Sequence, residues 1–119
     1  MTTNEIINLD YREEKNQKTI QKVLRKIKPL SKYSDECEIP FSALEKVTTV
    51  ICKKYCMRIR EFTPDVWSNK NHTIWRAVII NETNLKTIET IYGISLYEVF
   101  AKVAIRLYAE VKKGIEVRN

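Results

Sequence analysis

The residues that could support catalysis or metal binding are three cysteines, Cys37, Cys52 and Cys56, and a single histidine, His72. Together they could hold zinc, or one cysteine could act as a nucleophile with His72 as its base. Structural zinc sites usually take paired cysteines from tight turns, whereas Cys52 and Cys56 have the i, i+4 spacing of a helix face. An odd number of cysteines is also a poor disulfide framework. We therefore expect inert thiols, with no metal and no cofactor.

Motifs that bind nucleotides or assemble a catalytic pair are missing from the sequence. With only two glycines, Gly93 and Gly114, the chain can form neither a P-loop nor a dinucleotide-binding turn. The carboxylate pairs at 13–14 and 35–36 are neighbours in sequence, so they do not face a common reacting atom. The sequence predicts that the protein is not an enzyme.

Positive charge is the main chemical feature of the chain, which has a formal net charge of +6 and an isoelectric point of about 9.3. Such a balance favours polyanionic partners, although many soluble proteins carry it for solubility alone. Residues 15–28 hold six lysines and arginines and no acid. These side chains can contact phosphates without reading bases. The candidate nucleic-acid-binding residues are Lys15, Lys18, Lys22, Arg25, Lys26, Arg58, Arg60, Lys102 and Arg106. A solvated lysine surface is the alternative.

Residues 85–107 have a pattern typical of two helices joined by a tight glycine turn. The positions at suitable spacing are Ile88, Tyr92, Gly93, Ile94 and Val99. This segment, about a fifth of the chain, resembles the helix-turn-helix of DNA-binding proteins. The resemblance implies DNA binding through the second helix. The sequence departs from the pattern at Glu89, where a small residue normally lets the helices approach, and in the apolar side chains of the second helix. The alternative is two capped helices joined by an ordinary turn.

Apolar spacing and capping signals predict two helices in the first half of the chain. Residues 15–28 have one apolar face and six basic side chains, and the helix ends before Pro29. A second helix begins at a capping box formed by Ser42 and Glu45 and continues to about Tyr55.

The middle of the chain predicts strands. Residues 56–62 alternate between apolar and basic side chains, and residues 63–65 stop the strand. Residues 73–80 are apolar on both faces, which is typical of a central strand. Residues 85–92 are ambiguous. Their β-branched side chains favour a strand in a hairpin with the preceding one. Their apolar spacing and Asn84 as N-cap favour a short helix, which we prefer.

The longest predicted helix begins at a second capping box, Ser95 and Glu98, and continues to about Lys113. Gly114 would end it, and residues 115–117 could add an edge strand. This helix is apolar around most of its circumference, so we expect it to be covered largely within the chain, with any remaining apolar patch forming a homodimer. The expected partner-interface residues are Trp67, Tyr97 and Tyr108.

These elements predict an α+β fold in which a small antiparallel sheet packs with three or four helices. Residues 15–119 form a single domain, and residues 1–14 form a partly mobile segment that could alternatively add an edge strand through Ile6, Ile7 and Leu9. No stretch is apolar long enough to cross a membrane, and the N-terminus lacks the pattern of a signal peptide. We therefore expect a cytoplasmic location and no membrane partner.

The sequence as a whole favours a non-catalytic nucleic-acid-binding accessory or regulatory protein. Its partner would be DNA or RNA, held mainly by charge. The abundance of Lys, Ile, Asn and Thr is typical of an AT-rich bacterial or phage genome. The protein could therefore come from a phage or a mobile element. The alternative function is a protein–protein interaction module, an inhibitor or adaptor, that uses the apolar face of residues 96–111.

Overall fold

The computed structural model describes the backbone of residues 1–66 and 73–118, and the side chains of residues 1–60 and 74–112. It confirms the predicted α+β class. In chain order the elements are α1 (Thr3–Ile7), α2 (Glu14–Leu24), a 3-10 turn (Lys28–Leu30), α3 (Phe41–Lys54), β1 (Met57–Val66), β2 (Thr73–Asn81), β3 (Thr87–Gly93) and α4 (Leu96–Arg118).

The three strands form one antiparallel sheet in the order β1-β2-β3. Ile59 of β1 lies opposite Ile79 of β2, and Ala77 of β2 lies opposite Ile91 of β3. β2 is therefore the central strand, as its apolar pattern predicted. β1 continues through Pro64 to Val66 after an irregularity between Arg60 and Thr63, so the predicted stop at residues 63–65 was wrong. An edge strand tolerates proline because one side of its backbone needs no partner.

Helix α4 lies between two apolar clusters, which explains why it is apolar almost all round. Val99, Val103 and Leu107 pack with the sheet. Ala101, Ala104 and Ile105 pack with residues of α1, α2, α3 and the intervening segments. All six of these side chains are buried. The apolar side chains of residues 96–112 are thus buried or half-buried within the chain.

The preferred helix at residues 85–92 was wrong, because this segment pairs with β2 as strand β3. The alternative hairpin is the correct one. Hydrogen bonds and cross-strand packing against the central strand outweigh the helical spacing of a few apolar side chains. A helix-turn-helix needs two helices, and only the second of the two predicted helices, α4, is present. Gly93 ends β3, where a Cβ atom would come within 2.8 Å of the Val99 side chain.

Helices α2 and α3 differ from prediction only near their ends. α2 ends at Leu24 instead of Lys28, and the chain continues into the 3-10 turn that contains Pro29. α3 begins at Phe41 with Pro40 as N-cap, so the predicted capping box at Ser42 is absent. The extended backbone of Pro40 already places its carbonyl to accept the Ala43 amide at 3.0 Å, which starts the helix earlier.

The two ends of the chain are helical. α1 has its own capping box between Thr2 and Glu5 and buries Ile6 and Ile7, so the alternative of an N-terminal edge strand was wrong. α4 continues through Gly114 to Arg118, so the predicted helix end and the edge strand at residues 115–117 were also wrong. A glycine inside a helix costs only about 1 kcal/mol, which weakens a helix without ending it. In the described part of the chain, no helix combines the length and apolarity needed to cross a bilayer.

Candidate nucleic-acid interface

Helix α2 presents a line of lysines on the side opposite its buried face. Ile20 and Leu24 are fully buried and anchor the helix against the core. Lys15, Lys18 and Lys22 recur at i, i+3 and i+7, which places them together on the outer face, and all three are exposed. Lys26, also exposed, follows in the turn after the helix. We call these four residues, Lys15, Lys18, Lys22 and Lys26, the α2 lysine row.

Two carboxylates lie near the row without neutralising it. The Nζ atom of Lys15 is 3.7 Å from Glu13, and that of Lys18 is 3.6 Å from Glu14. The two lysine side chains are 83% and 76% exposed, respectively. Ion pairs this exposed contribute at most about 1 kcal/mol, so a phosphate can displace the carboxylate at little cost.

Arg25, predicted as a phosphate contact, supports a loop instead. Its side chain is only 12% exposed. Its guanidinium donates to the carbonyls of Tyr33 at 3.1 Å and Ser34 at 2.6 Å, and also to that of Cys37. The loop that follows the 3-10 turn is therefore tied to α2 through this side chain. Arg25 is not available to a nucleic acid.

Lys102 and Arg106 of α4, also predicted as phosphate contacts, form ion pairs with carboxylates. Lys102 is buried, and its Nζ atom donates to Glu98 Oε2 and to the Leu9 carbonyl, each at 2.7 Å. Arg106 is half-buried between Glu89 at 3.2 Å and Glu110 at 2.8 Å. Lys102 is thus enclosed, and Arg106 is held by two carboxylates, so neither belongs to the α2 lysine row.

The predicted capping box of α4, Ser95 and Glu98, shares its carboxylate with Lys102. The Ser95 hydroxyl accepts the Glu98 amide at 3.1 Å, as predicted. The Glu98 carboxylate accepts the amide of Ile94 at 3.0 Å, one residue before the position that a capping box uses. One carboxylate thus caps α4 and holds Lys102.

Arg58 and Arg60 are exposed, but the structure does not bring them to the α2 lysine row. Both lie on β1, and Arg58 is 3.7 Å from Glu82. Their strand belongs to the sheet cluster, whereas the buried residues of α2 belong to the helical cluster on the other side of α4. These two arginines form a basic surface separate from the α2 lysine row.

Tyr97, predicted at a partner interface, belongs instead to a buried polar network around Gln21. The Gln21 amide nitrogen donates to the hydroxyls of Tyr11 at 3.2 Å and Tyr97 at 2.8 Å, and its oxygen accepts the Ile39 amide at 2.9 Å. Tyr97 donates to the Ile39 carbonyl, and Tyr11 donates to Glu38 at 3.0 Å. Burial raises the pKa of Tyr97 to about 12. The network joins α2, α4 and the segment before α3.

An apolar groove of about 590 Å³ lies between α3, the 3-10 turn and α4. Tyr108, the other tyrosine of the predicted partner interface, lines it and is half-buried. The floor includes Ile27, Leu30, Val47, Val50, Ile51 and Val111, and the rim carries Lys28, Lys32, Lys46 and Lys54. We call this surface the lysine-rimmed groove. Trp67 lies outside the described residues.

The cysteines are free in the structure. Among the residues that the structure describes, no cluster of His, Cys, Asp or Glu side chains could hold a metal ion, and His72 lies outside them. Cys37 and Cys56 are exposed, whereas Cys52 is half-buried. Burial, with a smaller effect of Glu82, raises the pKa of the Cys52 thiol to about 11.

We expect iodoacetamide to modify Cys37 and Cys56 well before Cys52 near neutral pH. The thiolate is the reactive form, and a pKa of about 11 leaves Cys52 almost entirely as the thiol. Peptide mass spectrometry after timed alkylation of the folded protein measures the three rates. Equal rates in the folded protein would contradict the burial of Cys52, and equal rates after denaturation are the control.

Comparison of the chain with protein-family models, with curated proteins and with solved structures finds no match in any of the three.

Proposed function

We propose that the protein is a non-catalytic, accessory or regulatory nucleic-acid-binding protein that contacts the phosphate backbone through the α2 lysine row. The observation that carries this proposal is the pairing of a fully buried inner face, Ile20 and Leu24, with an outer face of exposed lysines on the same helix. The buried face fixes the orientation of the helix, so the charges stand in a fixed line.

The length of the row suits several phosphates. Lys22 lies seven positions after Lys15, which corresponds to about 10 Å along a helix. Each strand of duplex DNA carries one charge per roughly 3.4 Å of the duplex axis, so this part of the row spans about three phosphates of one strand. Lysine contacts to phosphate need no base geometry. We therefore propose binding with little sequence preference.

The chain offers less support for base reading than the sequence suggested. The segment predicted as the first helix of a helix-turn-helix is strand β3. In the second helix, α4, Lys102 pairs with Glu98. Arg106 pairs with Glu89 and Glu110. Binding of the proposed kind has dissociation constants of about 10⁻⁶–10⁻⁴ M at physiological salt.

A salt titration tests the proposal. We expect labelled duplexes of unrelated sequence to bind with similar affinity in fluorescence anisotropy. The logarithm of the association constant should fall with the logarithm of salt concentration with a slope of about −3 to −4, since each neutralised phosphate contributes about −0.9. Labelled single strands, titrated in parallel, distinguish duplex from single-strand preference. Absence of binding at low salt, or affinity that salt does not change, would overturn the proposal.

A further inference from the structure

The lysine-rimmed groove has a charge distribution unlike that of the whole surface. Sixteen residues line it, and four of them are lysines. Among these lining residues, all of which the structure describes, there is no aspartate or glutamate. The chain as a whole has 15 acids to 21 lysines and arginines. An apolar floor thus lies inside a rim of one charge sign, which favours an occupant with apolar side chains and negative flanks.

Helix α3 gives this pattern a regular spacing. Lys46, Val50 and Lys54 follow one another at i, i+4 and i+8, so they lie along one side of the helix over about 12 Å. Lys28 and Lys32 come from the 3-10 turn and the loop after it. The four lysines are exposed. This side of α3 therefore presents a cation, an apolar side chain and a second cation to the solvent.

We propose that the groove binds a segment of a partner protein that presents two or three large apolar side chains flanked by aspartate or glutamate. The apolar side chains lie on the floor formed by Val47, Val50 and Ile51, and the acids meet Lys46 and Lys54. This is the helix-in-groove mode of peptide recognition. The proposal goes beyond nucleic-acid binding by the α2 lysine row and does not depend on it.

The openness of the groove favours a peptide over a small amphipathic ligand. Val50, in the middle of the line on α3, is 55% exposed. Sites for small molecules usually enclose most of the ligand surface, whereas a peptide covers a wide apolar surface that stays open when the partner is absent.

The side chains of the floor favour a peptide over a nucleic-acid single strand. Single-strand binding depends on free aromatic faces on which bases stack. The floor is mainly aliphatic. Three tyrosines line the groove. Tyr108 is half-buried, and the rings of Tyr33 and Tyr55 already carry the ammonium groups of Lys32 and Lys54, each 5.5 Å from the ring centroid.

The experiment selects ligands from a phage-displayed library of random peptides of about 16 residues on the immobilised full chain, a length that suits a helix in a groove. Selected peptides are synthesised and titrated by fluorescence anisotropy at physiological salt. Four variants are compared. Val50→Asp changes the floor, and its matched control is Thr49→Asp on the exposed side of the same helix. Lys46→Glu/Lys54→Glu changes the rim, and its matched control is Lys53→Glu/Lys86→Glu, both exposed and outside the groove.

We expect the selected peptides to be enriched in acidic residues next to leucine, isoleucine or phenylalanine. Val50→Asp and the rim variant should each lower their affinity at least about tenfold, whereas both controls should stay within about twofold, since only the first two alter the binding surface. Circular dichroism confirms that each variant is folded. Selection of peptides without acids, no enrichment at all, or equal losses in variants and controls would overturn the proposal.

Three further outcomes would also overturn it by identifying another occupant. A concentration-dependent dimer in sedimentation that Val50→Asp dissociates would place a second copy of the chain in the groove. Competition of the peptide by a single-stranded oligonucleotide, lost in Val50→Asp, would place nucleic acid there. Competition by a fatty acid with the same dependence on Val50 would indicate an amphipathic small molecule.

Discussion

Replacing Lys102 by methionine should lower the free energy of unfolding by about 3–5 kcal/mol, because it leaves the Glu98 carboxylate buried without its cation. The two side chains are 4% and 6% exposed and 2.7 Å apart. The Lys102 ammonium also donates to the Leu9 carbonyl at 2.7 Å, so the substitution removes one hydrogen bond between α4 and the segment after α1. Urea denaturation followed by circular dichroism measures the loss.

Two further variants separate the buried pair from the general effect of losing a lysine. Lys112→Met, at an exposed position of the same helix, should change the stability by less than about 0.5 kcal/mol. The double variant Glu98→Gln/Lys102→Met should be less destabilised than the sum of its single substitutions, because neither charge is then buried alone. A Lys102→Met protein as stable as Lys112→Met would show that the pair is not buried as described.

Reversing two charges of the α2 lysine row should weaken nucleic-acid binding by about 10- to 100-fold, because each reversal removes an attraction to phosphate and adds a repulsion. Lys18→Glu/Lys22→Glu is the variant. The salt slope should also become shallower by about one unit for each phosphate that the row no longer neutralises. Both residues are exposed, so the urea midpoint should hardly change. Fluorescence anisotropy with a labelled duplex gives the affinity.

The matched control is Lys53→Glu/Lys86→Glu, which produces the same change in net charge at exposed positions outside α2. Its affinity should fall far less, since charges beyond the Debye length of about 8 Å are screened at physiological salt. Equal losses in the two double variants would mean that overall charge, and not the row, determines binding.

The sequence was sufficient to predict the elements that depend on local periodicity. The apolar face of α2 and the alternation in β1 each have one clear period, and β2 is recognisable as a short apolar run with both faces apolar. Residues 85–92 have no single period. Their conformation depends on pairing with β2, which the spacing of apolar residues along the chain does not reveal. Over residues 96–112, α4 is covered as predicted, by the sheet on one side and helices on the other.

The candidate site was only partly predictable for a similar reason. Helical spacing correctly separates Lys15, Lys18 and Lys22 from the buried face of α2. The same reasoning fails for Arg25 and Lys102, because several of their partners are backbone carbonyls, which every residue possesses. The Leu9 carbonyl lies 93 residues from Lys102 in sequence. Gln21 was missed, because nothing in the sequence distinguishes it from Asn16 and Gln17, the other neutral amides of α2.

Amide chemical-shift mapping distinguishes nucleic-acid contact at the α2 lysine row from contact elsewhere on the protein. The ¹⁵N-labelled full chain is titrated at low salt with a short DNA duplex, and the shift change of each amide is followed. We expect the largest changes in residues 15–26, with smaller changes near Arg58 and Arg60 of β1. Changes centred on the groove or on β1, with residues 15–26 unaffected, would contradict contact at the α2 lysine row.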